Sequence, residues 1–316
     1  MSRYLRGRAV DRTSGASSRL VLAISRMTVH NGPGYRTLIL LKGCPLRCVW
    51  CSTPEAQSFE QEIALYENRC IQCDKCLGTC ENLAILRANG VIAIDRGVCD
   101  VCGICAEACP TGAIRVLGEE TTVEALLATA VKDRVFWKHT GGGITLSGGE
   151  PLARPEFTLG FLRACKAEAI GVGIDTSGYA PSAVLEGAAA LVDFFLWDLK
   201  HMDATKHQEL TGVSNHLILE NARKASEMGV PMYIRVPVIP GFNDSIENIL
   251  EVSEFARGLR SLVRIDLLPL HHLGRARYDV LGREYPLDGV ELIPEPTMAR
   301  LKAAVESAGL QCTIGG

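Results

Sequence analysis

Apolar residues along this chain fall in short blocks, and the spacing inside the blocks switches between two periods. Two early runs, LVLAI (20–24) and TLILL (37–41), flank the turn-rich HNGPG segment at 30–34 and predict a pair of strands. Beyond residue 117 the pattern becomes regular. Residues 123–138, 157–170, 182–192, 216–229, 245–259 and 297–310 carry helical spacing. Between them ITLSGG (144–149), VGIDTSG (172–178), FFLWDLK (194–200), PMYIRVPVI (231–239) and VRIDLLPL (263–270) predict strands. Strands alternating with helices build a parallel sheet with right-handed crossovers. About six such units predict an α/β fold, a partial (β/α)6 TIM-like barrel, with an open doubly wound sheet as the other arrangement. In either, polar residues at strand carboxyl ends are the candidates for function.

With 316 residues the chain has room for two domains, or for one barrel carrying an insertion. Its 33 basic and 36 acidic side chains leave a net charge of −3, so no broad basic surface for nucleic acid is expected. No apolar run reaches the roughly 18 residues of a membrane span, so no membrane partner is expected either. Residues 1–19 hold five Arg, four Ser and one Asp. They loosely resemble an organellar transit peptide, but the plainer expectation is a disordered extension.

Cysteine changes the picture. Of 13, 11 lie between Cys44 and Cys109, and nothing at the start of the chain reads as a secretory signal. Such density in one stretch of a chain expected in the cytoplasm points to metal rather than disulfides. The first set is Cys44, Cys48 and Cys51, in GCPLRCVWCSTPE. Three thiolates on one loop can hold three irons of a 4Fe–4S cube and leave the fourth iron open, because completed clusters use four cysteines. Zinc with a borrowed fourth ligand, such as His30, is the alternative.

The second and third sets are Cys70, Cys73, Cys76, Cys80 and Cys99, Cys102, Cys105, Cys109, the last followed by Pro110. Both follow the two-cluster ferredoxin spacing, in which the fourth cysteine of each run ligates the other cluster. One cluster would use Cys70, Cys73, Cys76 and Cys109, the other Cys99, Cys102, Cys105 and Cys80. Residues 61–117 are thus expected to form a ferredoxin-like insertion with two 4Fe–4S clusters; a pair of zinc knuckles is the alternative. The barrel then takes residues 20–60 and 118–316. Cys165 sits in a predicted amphipathic helix as a buried small hydrophobe, and Cys312 is given no role.

The first triplet, with Trp50 before its last member, resembles the signature of the radical S-adenosylmethionine superfamily. HNGPGYRTLILLKGCPLRCVWCSTPEAQ (30–57), SGGEP (147–151) and the cysteine-rich insertion narrow the resemblance to the larger activating enzymes of glycyl radical enzymes. That family implies reductive cleavage of S-adenosylmethionine to a 5′-deoxyadenosyl radical, which takes a hydrogen from a glycine of a partner enzyme. It implies Cys44, Cys48 and Cys51 as the catalytic cluster ligands, and Trp50, Gly148, Gly149 and Glu150 at the cofactor. Small residues there would let the backbone approach the cofactor's amino group. It implies a monovalent cation held by Asp175, Thr176, Asp198 and the carbonyl of Leu196. Lys200 would answer the cofactor's carboxylate, and Arg235 and His271 would extend the ring toward its methionine and ribose portions. A glycyl radical enzyme as protein substrate, a reduced flavodoxin or ferredoxin as donor, an anoxic cytoplasmic setting and a monomeric state are likewise implied.

Taken singly, Asp198 and Lys200 could be a surface ion pair and His271 a core histidine. His30, His139, His201, His207, His216 and His272 are read as structural. Three departures from the family pattern stand at Asn31, in place of Asp, at Leu270, in place of Tyr, and at Ser52-Thr53 after the triplet. They are expected near the cofactor or the opening for a peptide. Two other functions compete: a radical S-adenosylmethionine enzyme acting on a peptide or small molecule, and a non-catalytic iron–sulfur electron carrier. A carrier would have no use for SGGEP, DTSG, DLK and LPLH at successive strand ends.

Overall fold

A computed structural model of the protein describes residues 18–315. In chain order the first elements are β1 (Ser18–Thr28), β2 (Arg36–Leu41), β3 (Glu62–Leu65), β4 (Ile85–Ala88), β5 (Val91–Ile94), α1 (Ile104–Ala108), β6 (Ile114–Leu117) and β7 (Glu119–Thr122). Then come α2 (Val123–Ala130), α3 (Arg134–Lys138), β8 (Gly143–Gly148), α4 (Pro155–Ala167), β9 (Val172–Thr176), α5 (Ser182–Ala189) and β10 (Phe194–Asp198). The chain closes with α6 (Ala204–Thr211), α7 (His216–Glu227), β11 (Met232–Val238), α8 (Ile246–Arg257), β12 (Leu262–Pro269), α9 (Arg275–Val280), α10 (Glu295–Ser307) and β13 (Cys312–Ile314).

Among the described residues nine strands form one sheet, in the order β13-β12-β11-β10-β9-β8-β2-β1-β7. All neighbours from β2 to β13 run parallel, and β1 and β7 add antiparallel strands on one side. The α/β class with a large parallel sheet is as expected. The sheet keeps two edges, β7 and β13, so it does not close into a ring. Helices return between the parallel strands, and one apolar core joins them to the sheet. Strand alternation decides what faces where. In β11, Met232, Ile234, Val236 and Val238 are buried in that core, while Tyr233, Arg235 and Pro237 alternate with them on the other face.

Several elements differ from expectation. Ser18 and Arg19 form the first positions of β1, registered opposite Thr122 and Thr121, so they do not belong to an extension; the remainder of that expected extension, residues 1–17, lies outside the described residues. The helix expected over 123–138 is broken by a tight turn at Val131–Asp133. Helix α6, with sequence ATKHQELT, was not predicted because it is too polar to show an apolar stripe. Local chemistry makes it instead: the Asp203 carboxylate accepts from the Lys206 N–H at 2.9 Å, and Gly212 ends it at φ +84°. Cys312, given no role, lies in the short final strand against β12, and Cys165 is fully buried as expected.

Residues 61–117 fold around a separate small core that includes Ile63, Ile85, Ile92, Ile114, Cys76 and Cys105. β3 pairs with β6, and β4 with β5 through an Asn89-Gly90 turn whose two residues both have positive φ. Leu22, Ala56, Ala64, Leu117 and Leu281 pack between this unit and the sheet.

The amino ends of the parallel strands are plugged by Arg36. Its guanidinium donates to Thr145 Oγ1 at 3.0 Å and to the Ile144 carbonyl, and lies 4.8 Å from the Phe194 ring centre. Burial pulls this guanidinium down to about 10, against the opposing charge of Asp193. Nearby, buried Asp133 accepts from Thr37 Oγ1 at 2.7 Å and pairs with Arg26, while Trp137 Nε1 donates to the same Thr37 hydroxyl at 3.2 Å. This cluster fastens α3 to β1 and β2. Asp133→Ala strands a buried hydroxyl and is expected to cost about 2 kcal/mol, read as a lower urea midpoint at equal iron loading; an unchanged midpoint would contradict the bracing role.

Candidate active site

The triplet loop leaves β2 at the carboxyl end of the sheet and is pinned there by backbone bonds. Gly43 N donates to Ala56 O at 2.8 Å and Cys44 N to Gln57 O at 3.1 Å. The unpredicted helix α6 supplies the other anchor, since Arg47 N and Val49 N donate to Thr211 O and Leu210 O at 2.7 and 3.0 Å. Trp50 is buried, with its ring edge-on to Phe242 at 6.3 Å and packed with Ile239 and Leu287. It holds the loop down as an apolar anchor.

The SGGE turn after β8 locks onto the same loop. Gly149 N donates to Leu41 O at 2.8 Å and Glu150 N to Gly43 O at 2.9 Å. Gly148 has φ +106°, and a Cβ there would sit 2.4 Å from Leu41 N. A Cβ on Gly149 would sit 2.3 Å from Gly43 O. Gly148 therefore admits the end of β2, and Gly149 the start of the cysteine loop. Glu150 is a buried brace. Its carboxylate accepts from Thr176 Oγ1 and Ser177 Oγ at 2.6 Å each, from Ser177 N at 2.9 Å and from Leu152 N at 3.1 Å. Burial raises its pKa, and the hydrogen bonds from Ser177 and Thr176 work the other way.

On the inner face, β9, β10 and β11 bring four charges together. Lys200 Nζ lies 2.9 Å from Asp198 Oδ2, and Arg235 lies 3.3 Å from Asp175 Oδ2, which also accepts from Ser147 Oγ at 2.8 Å. The register puts Asp198 opposite Arg235 and Leu196 opposite Asp175. Lys200 is buried, so the pair is no surface ornament. Burial alone would lower Lys200, but Asp198, then Cys48, outweigh it and hold the ammonium above its ordinary value. Burial raises Asp175, with Arg235 opposing and Asp198 reinforcing. Leu196 lies within β10, so its backbone is where the sequence placed it. Thr176 differs: neighbouring strand residues face opposite ways, and its hydroxyl is engaged by Glu150 and by Gly178 N at 2.8 Å. The side-chain donors that converge are therefore Asp175 and Asp198.

Burial also governs the thiols. It raises Cys44, helped by Glu150, and raises Cys51 to about 12, helped by Cys48. It raises Cys48 too, although Lys200 works the other way. Burial thus favours the protonated thiols, and a metal bound there must displace those protons. Among the described residues all 13 cysteines are free thiols.

His271 is exposed just beyond β12, so it is not a satisfied core histidine. His30 lies between β1 and β2, before the amino end of β2, whereas the triplet follows its carboxyl end. The six residues of β2 span about 20 Å, which removes His30 as a zinc ligand. Asn31 shares that position, with its carbonyl on Thr145 Oγ1 at 2.6 Å, so this departure lies far from the triplet, contrary to expectation. The other departures do lie beside it: Leu270 packs in the Trp50 cluster, and Ser52 lies against Gly274. His207 and His272 make the structural contacts expected of them, with Val213 O at 2.7 Å and Tyr285 Oη at 3.0 Å.

Sequence reasoning missed four contributors. Ser147 and Ser177 hold Asp175 and Glu150, and their place inside the SGGE and DTSG motifs was the available signal. Asn243 Nδ2 donates to Lys200 O at 2.8 Å and to Pro237 O at 2.6 Å, fixing the lysine's backbone. Tyr278 of α9 donates to Cys51 O at 3.1 Å.

In the insertion the thiols gather into two recesses. One is lined by Cys70, Cys73, Cys76 and Cys109, the other by Cys80, Cys99, Cys102 and Cys105. Backbone amides of Ala113 and Ala84 point at Cys109 Sγ and Cys80 Sγ, both at 3.2 Å.

Comparison with known proteins bears on this geometry. The model of the radical SAM superfamily matches residues 38–252. An isethionate sulfite-lyase activating enzyme of Nitratidesulfovibrio vulgaris is 42% identical over 289 residues, 89% of this chain and 93% of its own length. A trans-4-hydroxy-L-proline dehydratase activating enzyme of Clostridioides difficile is 38% identical over 300 residues, 94% and 99% of the two chains. A benzylsuccinate synthase activating enzyme of Thauera aromatica is 38% identical over 306 residues, 94% and 92%. A crystal structure of a radical SAM methyltransferase from Sphaerobacter thermophilus shares the fold, with TM-score 0.56 and 16% identity over 99% of this chain and 76% of that one. The superfamily match, running from β2 through most of α8, makes the chain a radical S-adenosylmethionine enzyme. Within that superfamily it belongs to the activating enzymes of glycyl radical enzymes. An enzyme of another radical class and a plain electron carrier are not favoured. Among the described residues no helix is long and apolar enough to cross a membrane.

Gly149→Ala is expected to pry the SGGE turn from the cysteine loop at a cost of about 1–3 kcal/mol. Iron retained after anaerobic reconstitution should fall with it; wild-type iron content and midpoint would contradict the close-packing role.

Proposed function

We propose that Cys44, Cys48 and Cys51 hold a 4Fe–4S cluster with one open iron, and that two further clusters occupy the insertion, one on Cys70, Cys73, Cys76 and Cys109, the other on Cys80, Cys99, Cys102 and Cys105. The observation that carries the reading is the meeting of the triplet loop, the SGGE turn and the Asp198–Lys200 pair at one end of the sheet. The donor sets fit the groups: free thiols in sets of three, four and four, with amides aimed at sulfur as iron–sulfur sites require. The triplet cluster, when bound, supplies the electron that splits the C5′–S bond of S-adenosylmethionine and so yields the 5′-deoxyadenosyl radical that takes hydrogen from a partner's glycine.

The chain's own residues do the placing. Lys200 turns from Asp198 to the cofactor's carboxylate. Asp175 and Asp198 are then free to hold a monovalent cation with the Leu196 carbonyl, and Arg235 and exposed His271 border the methionine and ribose portions. Gly148, Gly149 and Glu150, besides pinning the loop, border the cofactor with Trp50, the small residues letting the backbone approach its amino group. The sheet's unclosed edge leaves room for a loop of the partner enzyme, and a reactive carbon radical demands that water be kept out once that loop is seated. Reduced flavodoxin or ferredoxin serves as donor to a monomer in an anoxic cytoplasm, with neither nucleic acid nor membrane as partner.

Anaerobically reconstituted protein given S-adenosylmethionine and dithionite is expected to form 5′-deoxyadenosine, and with its partner enzyme to raise the glycyl doublet in electron paramagnetic resonance. Nucleoside without the doublet would favour a different substrate, and no nucleoside would overturn the reading. Lys200→Met should weaken S-adenosylmethionine binding by about 10–100-fold, the value of one charge-assisted hydrogen bond, at unchanged iron content. Because Lys200 is held above its ordinary value, its charge persists below that range and is lost only above it, so binding between pH 6 and 9 should not titrate with this group. Wild-type affinity in the variant would remove Lys200 from the cofactor site.

A further inference from the structure

The two thiol recesses stand at different depths in the insertion. β3 meets the barrel at Glu62, whose carboxylate takes Lys42 Nζ at 2.9 Å. The next residue, Ile63, lines the recess of Cys80, Cys99, Cys102 and Cys105. Gly103 of that recess lies against Val116, which is registered opposite Ile63. The recess of Cys70, Cys73, Cys76 and Cys109 is lined instead by Ile114, registered opposite Leu65. That is two residues, about 7 Å, farther along the ribbon from the barrel. The Cys99 set is therefore inner and the Cys70 set outer.

A strap joins the inner set to the triplet loop. Arg96, three residues before Cys99, donates to the Val280 carbonyl at 2.9 Å. Gly282 lies against it, since a Cβ there would be 2.7 Å from the guanidinium. Two residues before Val280 in the same helix, Tyr278 donates to the Cys51 carbonyl at 3.1 Å. From Cys99 to Cys51 the route runs through peptide, two side chains and two hydrogen bonds without a break. Arg283 adds a second fastening, to Pro54 O at 3.2 Å and to the Glu62 carboxylate.

Resting on the reading of both sets as cluster ligands, we propose that this Arg96–Val280 and Tyr278–Cys51 strap fixes the separation between the inner set and the triplet loop across which an electron passes, entered from the outer set through the inner one. A reduced one-electron carrier of the flavin or iron–sulfur class loses one electron at the outer set, the one farther from the barrel; each set has one exposed thiol, Cys73 and Cys102, so position along the ribbon and not exposure gives the order. The triplet gains one electron, and no bond is made or broken and no proton moves between them. Tunnelling falls off steeply with distance, so fastenings that hold the inner set at one separation from the triplet loop govern the rate. Arg96 also sets a positive charge beside the inner set, which favours the electron-bearing state there.

The test uses full-length holoprotein with the insertion pre-reduced, mixed with S-adenosylmethionine and followed by rapid-freeze electron paramagnetic resonance of the reduced clusters. Arg96→Met should slow the discharge of the inner set by about tenfold at wild-type iron content, although the lost positive charge lowers that set's midpoint potential and by itself would favour discharge. Discharge at the wild-type rate overturns the strap. The order of the sets is read from two further variants. Cys102→Ala should strand the electron on the outer set, while Cys73→Ala should leave an inner set that still discharges. The opposite pattern overturns the order, and if either variant loses both insertion clusters the Arg96→Met rate alone decides. Wild-type protein whose insertion binds no iron would instead defeat the cluster reading in the preceding section, a result separable by metal analysis alone.

Discussion

Three thiols on one short loop cannot complete a four-iron cube, and the rest of the molecule depends on keeping that loop in one place with the fourth corner accessible. The loop has little secondary structure of its own. Its position comes from borrowed backbone bonds: to Ala56 and Gln57 on its far side, to the end of α6 on one flank, and to the SGGE turn on the other. Two glycines without side chains make the last contact close enough, and a buried carboxylate, Glu150, ties that turn to β9. The burial that raises the thiols of Cys44 and Cys51 also shields the site from water once metal is bound.

Charge is arranged with similar economy. Asp175 and Asp198 would repel each other, yet Lys200 pairs with Asp198 two residues before it, and Arg235 of β11 reaches past β10 to Asp175 of β9. The period of two along β11 delivers Arg235 to this face while its neighbours Ile234 and Val236 fill the core. A carboxylate-bearing cofactor that draws Lys200 away would leave an acidic pair ready for a cation, so the two binding events support each other.

Much of this was legible in the sequence, because the alternation of long apolar blocks is a direct imprint of the parallel sheet, and cysteine spacing is set by cluster geometry. The carboxyl-end placement of Gly148, Asp175 and Asp198 followed from that alternation, whereas Arg235 lies in the middle of β11. Elements made by local polar chemistry were not legible. Helix α6 rests on an Asp203 cap and a Gly212 stop, and the Asn89-Gly90 hairpin on two positive φ values, none of which shows in hydrophobic periodicity. Long-range contacts were hidden too: nothing in the residues around Tyr278 or Arg96 announces that one reaches Cys51 and the other Val280.

The central claim is the open corner of the triplet cluster. Mössbauer spectra of iron-57 protein lacking the insertion cysteines, titrated with S-adenosylmethionine, test it most directly. The account predicts that one iron site in the cube changes its isomer shift on titration while the other three hold theirs. A spectrum that does not move, or a loop that carries zinc after anaerobic purification, would contradict it.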